Sequence, residues 1–137
     1  MTYTRLTAIE FNHCDPAGIV FYPRYFEMIN SVIENFFADV LGASFAAIHV
    51  HGGHGVPTVR IEADFRHPSR LGEKVLFSLS IRSIGRSSVA LRIFAGEADD
   101  PRLTANMTLV WMNLSAGAEP WPDDIRARMT AFMETQT

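Results

Sequence analysis

The residues best able to do chemistry stand together in the stretch HCDPAGIVFYPRYFE, residues 13–27. Its first half holds the carboxylate of Asp15 beside the turn-forming residues Pro16 and Gly18. A carboxylate held in one place can attack a carbonyl carbon or act as a general base for water. The other interpretation is an Asp that caps its own turn, which is a common use of this residue. The residues alone leave both interpretations open.

The second half of this stretch offers the other requirement of acyl-transfer chemistry, which is a donor for a developing oxyanion. A helix that starts near residues 21–24 presents backbone N–H groups and the positive end of its dipole at that point. Pro23 fits the first turn of such a helix, where the N–H that it lacks is not needed. An acid and a helix start are therefore expected side by side.

Two further groups of residues have chemical interpretations that we disfavour. His13 and Cys14 flank Asp15, but neighbours in an extended loop point apart, and a single cysteine is often merely buried. The run HVHGGHG contains three histidines, His49, His51 and His54. It offers no nearby carboxylate or cysteine to complete a defined metal geometry. We expect no cysteine nucleophile, no metal and no redox cofactor.

The element that must position the Asp15 loop is a helix over residues 22–41. Its apolar residues recur at intervals of three and four, which is typical of an amphipathic helix with a wide buried stripe. They are Tyr22, Tyr25, Phe26, Ile29, Val32, Ile33, Phe36, Phe37 and Val40. Gly42 fits the position just past the helix end. A short second helix over residues 44–50, capped by Ser44, is expected before HGGHG.

Strands account for most of the remaining chain. Residues 3–10 form one, and in residues 59–66 apolar and polar residues alternate, which predicts a strand with one wet face. Three more strands lie within residues 75–81, 89–93 and 103–114, and Pro122 opens a terminal helix. Short connections make neighbouring strands antiparallel. A single long helix requires this sheet to wrap around it, and the uncovered sheet edge favours an oligomer.

The composition sets broad limits on function. The 137 residues suit one domain, and 47% hydrophobic and 20% charged residues are ordinary for a globular protein. The net charge of −3 gives no reason to expect nucleic acid binding, and no apolar run predicts a membrane span. One cysteine and no signal-peptide pattern fit a reducing cytoplasm. Lys74 is the lone lysine among 12 basic residues, and the arginines suit phosphate or carboxylate groups or reflect a coding bias.

The run DPAGIVFYPRYF, the strand order and IGRSS between two strands resemble the hotdog-fold thioesterases of the 4-hydroxybenzoyl-CoA thioesterase family. The related Tol-Pal-associated acyl-CoA thioesterases share the pattern. The first run is specific, whereas IGRSS alone is weak, and the resemblance extends to about residue 114. It implies an α+β hotdog fold in a single domain over residues 1–137. In that fold a curved, five-stranded antiparallel sheet wraps a long central helix.

The resemblance also implies roles for residues of the site. Asp15 is expected to be the nucleophile or general base that hydrolyses an acyl-CoA thioester, and the Tyr22 N–H is expected to polarise its carbonyl. Further substrate contacts are expected at His13, Gly18, Ile19, Val20, Tyr25 and Asn30. The family contacts the CoA nucleotide at the turn that holds Arg86, Ser87 and Ser88 here, with Arg82 on the same strand end. Arg66 and Arg70 flank a neighbouring turn and are weaker candidates.

Asn30 departs from the benzoyl-specific members, in which an acid at the matching position meets the ring hydroxyl. The uncharged amide leaves an aryl or a short to medium aliphatic acyl group as the expected substrate. The enoyl-CoA hydratases of this fold place a His a few residues after the Asp, and residues 16–20 contain none. A non-catalytic acyl-CoA-binding module is the remaining alternative. The family forms dimers that pair into tetramers, with sites between subunits, and the histidine loop is a candidate cover for the acyl end of the pocket.

Overall fold

One long helix and a five-stranded sheet make up most of the protein, and a second helix closes the chain. The computed structural model describes residues 2–135. In chain order the elements are β1 (Tyr3–Ala8), α1 (Pro23–Asp39), β2 (His54–Gly55), β3 (Thr58–Phe65), β4 (Lys74–Ile84), β5 (Ser88–Glu97), β6 (Asp100–Val110), β7 (Met112–Asn113), β8 (Gly117–Ala118) and α2 (Asp123–Thr135). Within this part of the chain, no helix is long and apolar enough to cross a membrane.

Helix α1 lies within two residues of its predicted bounds. Its buried face follows the apolar pattern and consists of Tyr25, Met28, Ile29, Val32, Ile33, Phe36 and Phe37. The charged residues Arg24, Glu27 and Glu34 are exposed on the other face. Buried side chains from every strand of the main sheet except β1 and β3 join this face in one core. The helix is therefore the centre around which the sheet packs.

The main sheet is antiparallel throughout and has the strand order β1-β4-β5-β6-β3. The predicted antiparallel pairing is confirmed, but β3 and β4 are not neighbours although only residues 66–73 join them. The connection instead crosses from one edge region of the sheet to the other. Irregular register between Ile81 and Ser83, and between Thr58 and Arg60, marks bulges that bend the strands. These bulges help the sheet to curve around α1.

Strand β3 departs from the prediction of one wet face and one buried face. All of its residues are exposed except Ala63, which is half-buried. On the side toward α1, Ile61 and Phe65 remain 38% and 45% exposed. The alternation that predicts a buried face is present, but β3 is an edge strand, and the rings of α1 that contact Phe65 leave this face largely exposed within residues 2–135. The prediction was therefore wrong for the single chain.

The segment between α1 and β3 is a turn with a small sheet beside it. Residues Ala46–His51 form a π-helical turn where a short helix was predicted. The Ala47 N–H donates to the Ser44 hydroxyl at 3.1 Å, so Ser44 does cap this turn. Strands β2, β7 and β8 pair into a second, three-stranded sheet that the sequence pattern did not predict. Strands of two residues are too short to show an alternation of apolar and polar side chains.

The main sheet has two ends, which we call the Asp15 end and the Arg86 end. At the Asp15 end β1 finishes and β4 begins, with Ala8 opposite Lys74. At the Arg86 end the chain turns from β4 into β5. Strand β4 has 11 residues, so about 35 Å separate the two ends at the usual rise of a strand. Helix α1 runs in the same direction, because the Tyr3 hydroxyl at the far end of β1 donates to Asp39 at 2.6 Å.

Candidate active site

Asp15 lies on a closed loop that joins a 3₁₀ turn, Phe11–His13, to α1. The Asp15 N–H donates to the Ile19 carbonyl, and the Gly18 N–H donates to the Asp15 carbonyl, each at 3.0 Å. A bridge between Cys14 and Val20 closes the loop further out. Gly18 has a φ of +77°, a left-handed conformation that favours glycine. This loop holds the backbone of Asp15 in one position.

The half-buried carboxylate of Asp15 uses its two oxygens differently. Oδ1 accepts a hydrogen bond from the Ala17 N–H at 2.9 Å, which is the turn-capping interaction. Within residues 2–135, Oδ2 has no hydrogen-bond partner. Capping and chemistry are therefore compatible, because one oxygen orients the carboxylate while the other is available to a ligand.

One backbone N–H group at the start of α1 has no acceptor among the described residues. The Phe21 N–H donates to the His13 carbonyl at 2.9 Å, which fastens the helix start to the Asp15 loop. The Arg24 and Tyr25 N–H groups donate to carbonyls three residues earlier, and Pro23 has no N–H. Among the described residues, the Tyr22 N–H has no acceptor. It is the group that the sequence analysis expected to polarise a carbonyl.

The turn of residues 68–73 supports the Asp15 loop. The Val20 N–H donates to the Ser69 carbonyl at 2.9 Å, and the Leu71 N–H donates to the Gly18 carbonyl at 3.2 Å. The Ser69 N–H in turn donates to the hydroxyl of buried Tyr25 at 3.3 Å. Gly18, Val20 and Tyr25 therefore belong to the framework beneath Asp15. Ile19, which bridges to Arg70, is half-buried in the same layer.

Arg102 fixes this supporting turn. Its guanidinium donates to both carboxylate oxygens of Glu73, at 3.0 and 3.1 Å, and to the hydroxyl of fully buried Ser69 at 3.2 Å. The hydrogen bond from Arg102, with another from the Arg70 N–H, holds the pKa of the Glu73 carboxyl below its ordinary value. Sequence analysis missed this trio, because Arg102 is 29 residues from Glu73 and no local pattern connects them.

His13 and Cys14 serve the backbone beside Asp15. His13 Nδ1 accepts a hydrogen bond from the Glu10 N–H at 2.9 Å, and the Cys14 thiol lies 3.5 Å from the Glu10 carbonyl. Neither side chain hydrogen-bonds to the Asp15 carboxylate within the described residues. His13 faces a groove between β1 and α1 that Arg5 and Glu27 also line. Its observed contact is thus with the 3₁₀ turn.

Asn30 is exposed two turns into α1 and lines two adjoining spaces. One is an apolar cleft of about 260 Å³ between α1 and β3, and the other is a larger cavity of about 590 Å³ beside the π-helical turn. Toward the helix start, the Phe65 ring of β3 contacts the rings of Tyr22 and Phe26, with centroids 6.0 and 6.1 Å away. An apolar surface therefore runs from the helix start past Asn30.

The turn with Arg86, Ser87 and Ser88 lies at the other end of the sheet from Asp15. Arg86 is exposed, and its carbonyl accepts hydrogen bonds from the Trp121 N–H at 3.0 Å and Arg126 at 3.2 Å. Ser87 and Ser88 also use their carbonyls, toward the Trp111 N–H and the Trp121 indole. Arg82 is exposed on the outer face of the sheet near Arg60. Within one chain, this turn and Asp15 are not brought together.

Two other arginines do lie at the Asp15 end. Arg66 follows β3, and Arg70 belongs to the turn that supports the Asp15 loop. Both are exposed. The weaker candidates from the sequence are thus closer in the fold to Asp15 than Arg82 and Arg86 of the same chain are.

The loop histidines make separate contacts. His49 packs against the Phe45 ring, with centroids 5.0 Å apart, and lines the larger cavity, while His51 is exposed. His54 stacks on Trp111 and lies between the Gly52 carbonyl, 2.7 Å away, and the Glu119 carboxylate, 3.0 Å away. Across residues 2–135, no three His, Cys, Asp or Glu side chains are grouped to hold a metal ion.

Comparison with known proteins identifies the family to which this chain belongs. The sequence pattern of the thioesterase-like superfamily matches residues 9–129. No relative among curated proteins matches the chain.

Solved structures share the fold at low sequence identity. A hypothetical protein from Staphylococcus aureus in complex with CoA has a TM-score of 0.91 and 13% identity, over 100% of this chain and 87% of that one. A 1,4-dihydroxy-2-naphthoyl-CoA thioesterase from Synechocystis has a TM-score of 0.84 and 20% identity, over 95% and 96% of the two chains. A gentisyl-coenzyme A thioesterase has a TM-score of 0.80 and 24% identity, over 90% and 98%.

These matches confirm the hotdog fold, and they agree with the resemblance carried by residues 15–26. The family pattern covers most of the chain, including the Asp15 loop, α1 and the whole main sheet except β1. The chain therefore belongs to the thioesterase-like superfamily.

Proposed function

We propose that this protein is an acyl-CoA thioesterase in which Asp15 and the Tyr22 N–H act on the same thioester carbonyl. The observation that carries the proposal is the closed loop of residues 13–21. Among residues 2–135, it leaves one oxygen of Asp15 and one N–H at the helix start without partners, on segments that hydrogen bonds fasten together. Two structural neighbours are thioesterases of CoA esters, and a third was solved in complex with CoA.

The chemistry follows from these two groups. The Tyr22 N–H donates to the thioester oxygen as negative charge develops there, which is worth about 3 kcal/mol in the transition state for one such donor. Asp15 Oδ2 attacks the carbonyl carbon or takes a proton from the water that attacks it. The carbon–sulfur bond breaks, and CoA leaves as a thiol after taking up a proton. Water supplies the oxygen of the free acid, and Asp15 returns to its starting state.

We also propose that two chains complete each site. The exposed β3 edge, with Ile61 and Phe65 uncovered, supports pairing of two β3 strands. Antiparallel pairing about a two-fold axis sets the Asp15 end of one sheet beside the Arg86 end of the other. The CoA phosphates then meet Arg86 of the partner subunit, with Ser87 and Ser88 of the partner subunit nearby. The family's further pairing of dimers gives a homotetramer.

Replacement of the acid tests the catalytic assignment. Asp15→Asn keeps an oxygen that can accept from the Ala17 N–H but supplies neither a nucleophile nor a base. We expect kcat to fall at least about 100-fold while binding of the CoA ester is largely kept. Thiol release over a panel of acyl-CoA esters measures turnover, and fluorescence titration measures binding.

Asn12→Asp is the matched control, because Asn12 is an exposed amide in the same region and has no catalytic role. Its turnover should equal that of the wild type. Near-normal turnover in Asp15→Asn would sink the assignment of Asp15. Tight binding of CoA esters without any thiol release by the wild type would instead identify a binding module.

A further inference from the structure

The cavity beside the π-helical turn is a second, larger space that adjoins the candidate site. Its volume is about 590 Å³. It is bounded by α1, the π-helical turn and the β2 and β7 strands. The lining residues that matter here are Asn30, Ala46, His49, Val50, Val56 and Leu114. No Asp, Glu, Lys or Arg is among the residues that line it.

This cavity continues the apolar cleft between α1 and β3. Asn30 and Thr58 line both spaces, so the two meet there. Eight helical residues separate Tyr22 from Asn30, which places Asn30 about 12 Å along the axis from the helix start. A group bound at Tyr22 thus reaches the cleft first, passes Asn30, and then enters the cavity.

The walls of this path select an apolar ligand. Phe26, Ile29, Ile61 and Met107 line the cleft, and the amide of Asn30 is the polar group at the junction. A charged or heavily hydroxylated acyl group would lose its water there without a charged partner. Each methylene buried along such walls improves binding by about fourfold. A single aromatic ring is shorter than the path to Asn30, so it stays in the cleft and leaves the cavity empty.

We propose that the physiological acyl group is a long unbranched aliphatic chain, which passes Asn30 and ends in this cavity. This inference rests on the proposed function and narrows its substrate class. It assigns the cavity wall, and Ala46 in particular, to the choice of chain length. Ala46 is exposed and lines the cavity, so a larger side chain there shortens the space without entering the core.

A matched pair of variants tests the inference. Ala46→Phe fills the cavity, whereas Ala47→Phe adds the same ring at the next exposed residue, which does not line it. The values of kcat/KM are measured for CoA esters from acetyl to hexadecanoyl and for benzoyl-CoA. The wild type should prefer a long chain. Ala46→Phe should lower kcat/KM for long chains by at least about tenfold and leave acetyl, octanoyl and benzoyl esters unchanged. Ala47→Phe should match the wild type throughout.

Binding of the free acid gives a second measurement that does not depend on turnover. Tetradecanoate should raise the melting temperature of the wild type and of Ala47→Phe, and it should not do so for Ala46→Phe. A wild type that prefers benzoyl-CoA, or an Ala46→Phe variant that treats all esters as the wild type does, overturns this inference while thiol release upholds the proposed function. Absence of thiol release from every ester contradicts the proposed function itself and the inference with it.

Discussion

At the scale of single residues, the main feature of the candidate site is that the two oxygens of the Asp15 carboxylate have different environments. Oδ1 is occupied by the Ala17 N–H, so the carboxylate cannot rotate freely, and Oδ2 is turned to a fixed direction. Fixed orientation of a reacting group is a large part of enzymatic rate enhancement. The turn-capping interpretation of Asp15 is observed at Oδ1, and the proposed catalytic role uses Oδ2, so the two interpretations are compatible in one carboxylate.

Gly18 allows a prediction about this fixed direction. With a φ of +77° and open space around its missing Cβ, Gly18→Ala should cost about 1–2 kcal/mol in backbone strain and no steric clash. Relief of that strain shifts the loop, so kcat should fall by about tenfold. Gly117→Ala is the control, because Gly117 has a φ of +94° and open space at the start of β8. Chemical denaturation should show similar losses of stability, and kinetics should show a loss of kcat in Gly18→Ala alone.

Equal turnover in the two glycine variants would contradict the view that this loop positions Asp15. The same site was largely predictable from the sequence, because Asp15, Gly18 and Tyr22 lie within eight residues of one another. Turn residues and helix-start residues carry local signals, and local hydrogen bonds satisfy them. Glu73 and Arg102 carried no such signal, since only the folded sheet brings them together.

At the scale of elements, the Asp15 loop depends on the turn of residues 68–73, and this turn depends on Arg102. Backbone hydrogen bonds from Val20 and Leu71 join the Asp15 loop to this turn. The bidentate pair of Arg102 with Glu73 holds the turn itself. Bidentate guanidinium–carboxylate pairs are geometrically specific, which suits a support that must not shift. The helix pattern and strand periods predicted the elements on both sides of this support but not their contact.

The Glu73 carboxyl makes stability depend on pH in a stated direction. Its pKa in the folded protein lies below the ordinary value of 4.5, so its stabilising effect is complete above pH 4.5 and is lost as the pH falls through the folded pKa. The effect is about 1 kcal/mol, because both side chains are about a third exposed and solvent screens the pair. The melting temperature of the wild type should exceed that of Glu73→Gln near neutral pH, and this gap should close in acid.

Glu62→Gln is the control for this titration, since the Glu62 carboxylate pairs with Arg60 on exposed β3, away from the turn of residues 68–73. A gap between wild type and Glu73→Gln that stays constant down to the acid limit would show that the carboxylate charge of Glu73 is not what stabilises the turn.

At the scale of the whole molecule, the strand order of the main sheet could not be predicted from the sequence. The alternation of apolar and polar residues correctly predicted β3 and β4. Their short connection gave no indication that β3 lies at the far edge of the sheet, beside β6. Strand pairing over long sequence separation is decided by the shared core, and no residue pattern within β3 reports it. The apolar side chains of β3 predicted a buried face, and the single chain leaves most of that face exposed.

If each site is shared between two chains as proposed, two inactive variants should complement each other in a mixed dimer. Asp15→Asn chains lack the acid, and Arg86→Ala chains lack the nucleotide contact. In a mixed dimer built as proposed, one site carries both defects and the other carries neither. An equal mixture of the two variants, refolded together, should regain about a quarter of wild-type activity at low CoA-ester concentration. Each variant refolded alone should stay low.

No recovery in that mixture, with mixed dimers verified by a size or affinity tag, would show that both residues serve a site within one chain. Mixing Asp15→Asn with itself under a second tag controls for effects of refolding.

The distance of about 35 Å between the two ends of the sheet has a kinetic consequence. If each site is shared between two chains as proposed, a chain with its acid at one end and its nucleotide contact at the other is an incomplete catalyst when it is alone. The reaction rate is then second order in protein at high dilution and becomes first order once most chains are paired. A newly made chain would leave the cell's acyl-CoA esters intact until it meets another copy, so the exposed strand that makes the monomer incomplete also delays its activity.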